Sequence, residues 1–212
     1  MSSTDRKSML GFAKDLPNIC SLTGLLCTMF AIYFASKGYF IESIISILWS
    51  TLFDWFDGII ARSIKGRTKE QGIFGGQLDS MIDIVSFGVY PSILLLSYGD
   101  YNLIYMPGAF VIVAGCAVRL SYFNIYGLMD SNTYLGLSVD NNGIILTFAF
   151  LFESFFSHAN FSFILYGLLL GLAGLNISSI PTPKLAGKWV YVLIAYVVIL
   201  TAIFGWMIWS RG

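Results

Sequence analysis

Hydrophobic and polar positions alternate in long blocks along the chain, and seven of the apolar blocks approach the length of a membrane span. A helix that crosses the hydrocarbon core needs about 20 mainly apolar residues. The blocks cover roughly 18–36, 40–62, 74–98, 105–126, 141–157, 161–177 and 188–209. The fifth and sixth are short, so a tight hairpin partly buried by protein, and therefore six spans, is an alternative count. The pattern predicts an all-α integral membrane protein, a bundle of six to seven helices with a short N-terminal amphipathic segment.

Composition supports one membrane-embedded domain. Of the 212 residues, 57% are hydrophobic and 11% are charged, with a mean hydropathy of +0.76, far from the usage of soluble domains. Since we find no soluble segment, low-complexity tract or repeat, we predict a single domain over residues 1–212. Residues 1–16 are predicted to be a cytoplasmic lead-in, and residues 40–98 a helix pair with its loop that carries the chemistry. The net charge of zero gives no basic excess for nucleic acid.

Basic residues in the short loops predict the orientation of the bundle, because lysine and arginine accumulate in cytoplasmic loops. Three groups fall on one side: Arg6, Lys7 and Lys14; Arg62, Lys65, Arg67 and Lys69; Lys184 and Lys188. With seven spans, the N-terminus is cytoplasmic and the C-terminal "WSRG" lies on the other side. We therefore predict a multi-pass protein of the cell membrane whose active site faces the cytoplasm.

Four aspartates interrupt the second and third apolar blocks. At about 100° per residue, Asp57 lies about 60° from Asp54 on a helix, and Asp83 lies about 40° from Asp79. Each helix thus carries a pair of acids on one face, and two antiparallel neighbours can bring the pairs together. The alternative is that the acids are interfacial, either solvated or paired with the basic loop. An ionised acid at membrane depth costs several kcal/mol unless it is compensated, so we interpret the four as a site.

The residue types around these acids indicate the ligand. No histidine or cysteine joins them, so the donors are all oxygen, which suits Mg²⁺ or Mn²⁺ rather than zinc. Four carboxylates would suit two ions about 3.5 to 4 Å apart. Gly58 and Ala61 leave room for a ligand or for another helix. The planar guanidinium of Arg62 suits a diphosphate held beside the metals.

The same residues resemble the signature of a known enzyme family. The pattern DxxDGxxAR, a spacer and GxxxDxxxD is similar to that of the CDP-alcohol phosphotransferases. Its members in this chain are Asp54, Asp57, Gly58, Ala61, Arg62, Gly75, Asp79 and Asp83. More narrowly, "FGGQLDSMIDIVSFGVYPS" at residues 74–92 resembles the phosphatidylserine synthase branch. Weaker similarities in "LPNICSLTGLLC", "VRLSYFN" and "NISSIPTPK" extend the resemblance across most of the chain.

The resemblance implies transfer of a phosphatidyl group from CDP-diacylglycerol to the hydroxyl of L-serine, with release of CMP. Asp54, Asp57 and Asp79 would be the main ligands of two ions, and Asp83 would be the general base or a further ligand. The donor would be held by Asp57, Gly58, Ala61, Arg62, Gly75 and Asp79. The acceptor or the lipid phosphate would contact Ser86, Arg119, Asn124 and Lys184. Membrane lipid is an implied partner, and the resemblance also suggests a homodimer.

Three departures from the branch pattern keep other substrates open. The spacer at 63–74 is twelve residues long, Gln77 stands where glutamate is common, and "LGLSV" at 135–139 replaces a usual GLP. The alternatives are another small alcohol as acceptor, or a CDP-amino-alcohol donor with a diacylglycerol acceptor. A metal-ion transporter is a remote alternative, since intramembrane acids also line ion paths. It would place the acids near the middle of the membrane in broken helices.

Two predictions concern residues outside the signature. Asp140, Asn141 and Asn142 precede the fifth apolar block, where short polar side chains commonly cap a helix. Trp55 lies toward the end of the second block, where tryptophan commonly anchors a span at the interface. We therefore predict that the three polar residues cap the fifth span, with substrate contact as the alternative, and that Trp55 is an anchor.

Overall fold

A computed structural model describes residues 8–130, 133–185 and 187–210. This part excludes Arg6, Lys7 and residues 211–212, on which the predicted orientation partly rests. The α-helices are α1 Met9–Ala13, α2 Leu16–Ser36, α3 Phe40–Ser63, α4 Lys69–Ile84, α5 Tyr90–Tyr98, α6 Met106–Tyr126, α7 Asp140–Phe150, α8 His158–Asn176 and α9 Trp189–Trp209. A π-helical segment, Val85–Val89, joins α4 to α5, and 3₁₀ turns occupy Leu103–Tyr105 and Glu153–Phe155. Two short strands, β1 Thr133–Leu135 and β2 Pro181–Pro183, pair in antiparallel orientation.

Six helical segments of the described chain are long and apolar enough to cross a membrane. They are Leu16–Ser36, Phe40–Ser63, Lys69–Tyr98, Leu103–Tyr126, His158–Asn176 and Trp189–Trp209. Large apolar side chains point outward from them; Phe110, Ile125 and Tyr191 are each more than 70% exposed. Such a surface suits hydrocarbon, and helices satisfy their own backbone hydrogen bonds there. The predicted class, an all-α integral membrane bundle, is confirmed.

The predicted fifth span, 141–157, is shorter than a spanning helix. Its helix, α7, has 11 residues, or about 16 Å of rise, against a hydrocarbon core about 30 Å thick. The chain nevertheless passes from one end of the bundle to the other here. Asp140 contacts Trp55 near the end of α3, and Glu153 accepts a hydrogen bond of 3.1 Å from Tyr98 at the far end of α5. In the described chain six helices thus have spanning length, and α7 is an additional short crossing packed against protein. The sixth block, α8, is itself of spanning length and does not form a short hairpin with α7.

The interior is built on the apolar faces of α3, α5, α8 and α9. Ile44 and Leu48 of α3 are fully buried against the same cluster as Leu94 of α5, Leu165 of α8 and Val197 of α9. These side chains recur at helical spacing, as expected for an inward-facing stripe. The helix α2 packs against both α3 and the third span. These two elements carry the four aspartates at one end of the bundle, which we call the aspartate end.

The spacer between the two aspartate helices is largely ordered as helix. The helix α3 continues to Ser63, and α4 begins at Lys69 rather than at residue 74. A capping box starts α4: the Thr68 hydroxyl accepts from the Gln71 amide at 3.2 Å, and the Gln71 side chain accepts from the Thr68 amide at 3.0 Å. Arg67 in the turn pairs with Asp15 at 2.8 Å. The turn between the helices is therefore tied to the N-terminal end of α2.

The π-helical segment begins two residues after Asp83. Its wider turn is a feature often found at functional sites, and here it brings Gly88 against α6. A β-carbon at Gly88 would lie 3.1 Å from Cβ of Cys116 and 3.3 Å from its Sγ. The absence of a side chain at Gly88 thus allows a close approach of α6, which carries Arg119 about one turn beyond Cys116.

Substitution of Gly88 by alanine is expected to lower the melting temperature of the purified protein in detergent. The added methyl group meets a β-carbon that cannot rotate away, and such overpacking costs about 1–3 kcal/mol. Gly171→Ala on α8 is the matched control, because a β-carbon there meets nothing within 4 Å. Thermal unfolding followed by circular dichroism compares the two. Equal melting temperatures for both variants would contradict the close approach at Gly88.

Candidate active site

A cavity of about 260 Å³ opens at the aspartate end. Its wall takes residues from α3, α4, α6 and α7, from β1 and from the segment that leads into α9. The sequence-predicted residues on this wall are Asp54, Asp57, Gly58, Arg62, Asp79, Asp83, Arg119 and Lys184. Residues far apart in the chain, from 54 to 190, thus contribute to one concave surface.

The carboxylates of α3 and α4 converge in this cavity. One oxygen from each of Asp54, Asp57 and Asp79 lies within 4.8 Å of the others. Across the two helices, Asp54 lies close to Asp83 and Asp57 lies close to Asp79. Oδ1 of Asp83 is buried and has no hydrogen-bond partner. The facing helices therefore bring all four predicted acids to one place.

Few protein groups neutralise the negative charges of the four aspartates. Among the described residues, one ion pair is present, between Arg67 and Asp15. No lysine or arginine there forms an ion pair with any of the four aspartates. The hydroxyl of Ser21 donates a hydrogen bond to Asp57, which is 7% exposed. Carboxylates held this close require a counter-ion or the protonation of some of them. The all-oxygen donor set and the partnerless Asp83 oxygen fit a hard divalent cation, so the cluster could hold a metal ion.

Three basic side chains, Arg62, Arg119 and Lys184, lie on the same wall. Arg62 follows Gly58 by one turn of α3, and a β-carbon at Gly58 would lie 3.2 Å from Nη1 of Arg62. The missing side chain at Gly58 therefore leaves space for the guanidinium beside the acids. Lys184 directly follows β2, and the pairing of β2 with β1 brings it to the cavity.

Two other members of the signature do not line the cavity. Gly75 faces away toward α2, and a β-carbon there would lie 3.1 Å from both Asn18 Oδ1 and Arg67 Nη2. This position allows α2 and the turn before α4 to approach α4 closely. Ala61 is also absent from the cavity wall. The predicted contacts of both residues with a donor stay predictions.

Ser86 and Asn124, predicted with low priority to contact the acceptor or a phosphate, have protein partners instead. Ser86 is 1% exposed and shares a hydrogen bond of 2.6 Å with Thr28. Asn124 accepts a hydrogen bond of 3.0 Å from Ser80. Neither residue is on the wall of the cavity, so the structure does not bring them together with the aspartates.

Sequence reasoning missed the contact between Trp55 and Asp140. The indole N–H of Trp55 donates to Oδ2 of Asp140 at 2.8 Å, and both residues line the cavity. The predicted caps are wrong, because Val139 occupies the N-cap of α7 and no side chain caps it. Asn142 instead pairs with Asn176 of α8. One signal was available for Asp140: it is an acid that precedes an apolar block at the same end as the basic loops.

Sequence reasoning also missed Tyr134 of β1, which lines the cavity. Its ring lies 5.6 Å from the guanidinium carbon of Arg119, and the ring of Phe123 lies at 5.4 Å. Burial raises the pKa of Tyr134 to about 12. The phenol is therefore neutral at physiological pH, and its contact with Arg119 is one of a cation with a ring face rather than an ion pair.

Comparison with known proteins identifies the family of this chain. A family model described as CDP-alcohol phosphatidyltransferase matches residues 14–210, nearly the whole chain. The chain belongs to the CDP-alcohol phosphatidyltransferase family. The resemblance predicted from the aspartate motif is thus confirmed, and the protein is an enzyme of phosphatidyl transfer.

Three relatives illustrate the branch of this phosphatidyltransferase family. A CDP-diacylglycerol–serine O-phosphatidyltransferase of Methanocaldococcus jannaschii is 32% identical over 84% of this chain and 81% of its own length. An archaetidylserine synthase of Methanothermobacter thermautotrophicus is 31% identical over 81% of this chain and 71% of its own. A CDP-diacylglycerol–serine O-phosphatidyltransferase of Helicobacter pylori J99 is 28% identical over 79% and 71%.

Proposed function

We propose that this phosphatidyltransferase moves the phosphatidyl group of CDP-diacylglycerol to the hydroxyl of L-serine, forming phosphatidylserine and CMP. The observation that carries the proposal is the convergence of Asp54, Asp57 and Asp79 within 4.8 Å in a cavity that also has basic side chains. This arrangement suits a diphosphate and its counter-ions. The names of the three relatives, each of which includes serine, support serine as the acceptor.

The donor would bind with its diphosphate toward the basic side chains. Arg62 offers a planar fork and Lys184 a point charge on one wall. Asp54, Asp57 and Asp79 would hold two ions of Mg²⁺ or Mn²⁺, which leaves Asp83 to act on the acceptor. When bound, the ions neutralise the diphosphate and stabilise the negative charge that develops on the leaving CMP.

Asp83 would accept the proton in the transfer step. The serine hydroxyl oxygen attacks the phosphatidyl phosphorus, and its proton passes to a carboxylate oxygen of Asp83. The bond from that phosphorus to the CMP oxygen breaks, and CMP leaves as the anion. The buried Oδ1 of Asp83, which has no hydrogen-bond partner in the protein, supports this role because it is free to accept a donor.

We further propose that the enzyme resides in the cell membrane with the aspartate end in the cytoplasm. The support is the basic residues at that end, Arg62, Arg67 and Lys184 among them. Acyl chains of the donor would extend between helices into the bilayer. The homodimer stays a prediction. A metal-ion transporter is disfavoured, because the acids lie at one end of the bundle and the chain belongs to a transferase family.

CMP release by the purified protein tests the proposal. With CDP-diacylglycerol and Mn²⁺ in mixed micelles, we expect release that depends on added L-serine and yields phosphatidylserine. The comparison reactions contain no acceptor, or glycerol 3-phosphate or inositol as other small alcohols, or CDP-ethanolamine with diacylglycerol. Release that depends on another alcohol would retain the phosphatidyl transfer and replace the acceptor. Release only from CDP-ethanolamine with diacylglycerol would replace the donor.

A further inference from the structure

Three buried hydroxyl groups meet inside the bundle, close to the aspartate end. Thr28 of α2 shares a hydrogen bond of 2.7 Å with Ser50 of α3 and one of 2.6 Å with Ser86 of the π-helical segment. Thr28 is fully buried, and the two serines are 2% and 1% exposed. One oxygen atom therefore joins three elements of the fold. We call these three residues the hydroxyl layer.

The hydroxyl layer lies next to the aspartates on both of the elements that carry them. Ser50 precedes Asp54 by four residues, and Ser86 follows Asp83 by three. Each serine is thus about one helical turn from an acid. Asp54 and Asp83 are also close to each other across the two helices. The hydrogen bonds of Thr28 therefore join α3 to the third span about one turn from this pair of acids.

The helix α2 is the support that the two acid-bearing elements share. It packs against α3 and against each part of the third span. A β-carbon at Gly24, one turn before Thr28, would lie 3.2 Å from Cβ of Phe53 and 3.4 Å from the carbonyl oxygen of Ser50. This close approach places the Thr28 hydroxyl within reach of both serines. The relative position of α3 and the third span thus depends on contacts along α2.

We propose that Thr28 is a positioning residue: through Ser50 and Ser86, its hydroxyl sets the spacing between the acids of α3 and those of the third span, and thereby the affinity of the cluster for divalent cations. This inference rests on the proposed function, in which the cluster binds such ions. None of the three hydroxyls lines the cavity, so they can act on a bound ion only through the acids.

Stability alone is a weak reason for a hydroxyl layer at this place. Hydrogen bonds between helices in a membrane add little stability on average. Apolar side chains can slide past one another and still pack, whereas a buried polar contact is satisfied in one register. A site made of acids from two helices needs such a register, because metal ligands must be held at fixed distances from one another.

The variant Thr28→Val removes the shared oxygen and keeps the shape of the side chain. The hydroxyls of Ser50 and Ser86 can then donate to carbonyl groups one turn earlier in their own helices, so the variant should fold. Thr28→Ser keeps the oxygen and loses a methyl group. Thr147→Val is the matched control, because Thr147 is also fully buried and its hydrogen bond of 2.9 Å to Tyr196 joins α7 to α9.

Equilibrium binding of Mn²⁺ gives the first readout and requires no turnover. The electron paramagnetic resonance signal of free Mn²⁺ decreases as the purified protein binds the ion. We expect Thr28→Val to raise the dissociation constant by about tenfold, the lower end of the effect of residues that support a metal ligand. Thr28→Ser and Thr147→Val should bind Mn²⁺ like the wild type. A wild-type dissociation constant in Thr28→Val would overturn the proposal.

Melting temperatures in detergent, measured without metal, distinguish positioning from a general loss of stability. Thr28→Ser should unfold at a lower temperature than the wild type, because a lost methyl group leaves a small cavity at a buried site. It should nevertheless bind Mn²⁺ normally, whereas Thr28→Val should be folded and bind Mn²⁺ weakly. If the Mn²⁺ affinities of the variants followed their melting temperatures instead, the role of Thr28 would be purely structural and the proposal would be wrong.

A second pair of variants tests the contact from the third span. Ser86→Ala removes the hydroxyl that meets Thr28. Ser43→Ala is its control: the Ser43 hydroxyl donates to the carbonyl of Ala31 at 2.8 Å and shares a hydrogen bond of 3.0 Å with Tyr90, and so joins α2, α3 and the third span as well. This contact lies about 16 Å along α3 from the acids. Only Ser86→Ala should weaken Mn²⁺ binding, and equal weakening by both variants would contradict the proposal.

Steady-state kinetics give a further readout. At saturating Mn²⁺, we expect Ser86→Ala and Thr28→Val to lower kcat by about tenfold, since small displacements of catalytic groups are costly. The KM for L-serine should stay at its wild-type value in both variants. A higher serine KM with a normal kcat would place Ser86 in contact with the acceptor and overturn the positioning role.

The outcomes also separate this inference from the proposed reaction. Mn²⁺ binding that weakens in Thr28→Val, without serine-dependent CMP release by the wild type, would reject the proposed reaction and retain the positioning role. Serine-dependent release with wild-type Mn²⁺ affinity in Thr28→Val would reject the positioning role and retain the reaction. A wild-type protein that bound no Mn²⁺ would reject the inference together with the proposed metal site.

Discussion

Asp83→Asn is expected to reduce kcat for serine-dependent CMP release by about 10²- to 10⁴-fold, the range typical of a lost general base. Asparagine has the size of aspartate but cannot accept the proton of the serine hydroxyl. The buried Oδ1 of Asp83 has no hydrogen-bond partner, so the substitution breaks no hydrogen bond at that atom. Binding of CDP-diacylglycerol should remain close to that of the wild type. Steady-state rates at saturating serine, with donor binding measured separately by equilibrium dialysis, test both parts.

The control for this experiment is Asp100→Asn, which makes the same replacement at an exposed site on the opposite end of the bundle. It should turn over at the wild-type rate. If Asp83→Asn retains turnover within a factor of a few, Asp83 is not the base. If donor binding is lost together with turnover, Asp83 acts mainly as a metal ligand, since the donor then loses the ions that hold its diphosphate.

Removal of divalent cations is expected to abolish CMP release, and Mn²⁺ or Mg²⁺ should restore it. Carboxylates within 4.8 Å of each other, in a cavity with no paired cation in the described chain, are stabilised by such a counter-ion. Asp79→Asn should raise the metal concentration for half-activation by at least about tenfold, because even residues that only support a metal ligand contribute 10- to 100-fold to affinity. Metal titration of activity after dialysis against EDTA measures both effects.

The outcome that contradicts this expectation is equally direct. Full activity in excess EDTA would show that the acids work without a metal ion. A normal activation constant in Asp79→Asn would remove that residue from the ligand set. Asp15→Asn is a useful comparison, since Asp15 pairs with Arg67 outside the cavity; its activation constant for metal should match the wild type.

The cluster of four acids could be predicted because the sequence signal for it is local. Asp54 and Asp57, like Asp79 and Asp83, are three or four residues apart, and helix geometry alone puts such residues on one face. Membrane depth adds the requirement that such charges be compensated. Two neighbouring helices that each carry a pair of acids are therefore expected to share one site. All four aspartates do line one cavity.

The part of the cavity wall formed by Trp55 and Asp140 could not be predicted in the same way. Trp55 and Asp140 are 85 positions apart, and neither neighbourhood indicates the other. By composition, Asp140 resembles a helix cap and Trp55 an interfacial anchor. The pairing of β1 with β2 brings Tyr134 and Lys184 to the cavity. Each strand has three residues, which is too few for the alternation of apolar and polar positions to be recognised in the sequence.

The sequence by itself determined the membrane class, the family and the cluster of acids, because hydropathy over 20 residues and spacing within one helix are properties of continuous segments. Only the tertiary structure decided that α7 is a short crossing, that a π-helical turn follows Asp83, and that Arg119 and Asp140 share a wall with the acids. The physical reason is that these features depend on which distant side chains meet. Contacts such as Gly88 with Cys116 and Trp55 with Asp140 exist only once the helices have packed.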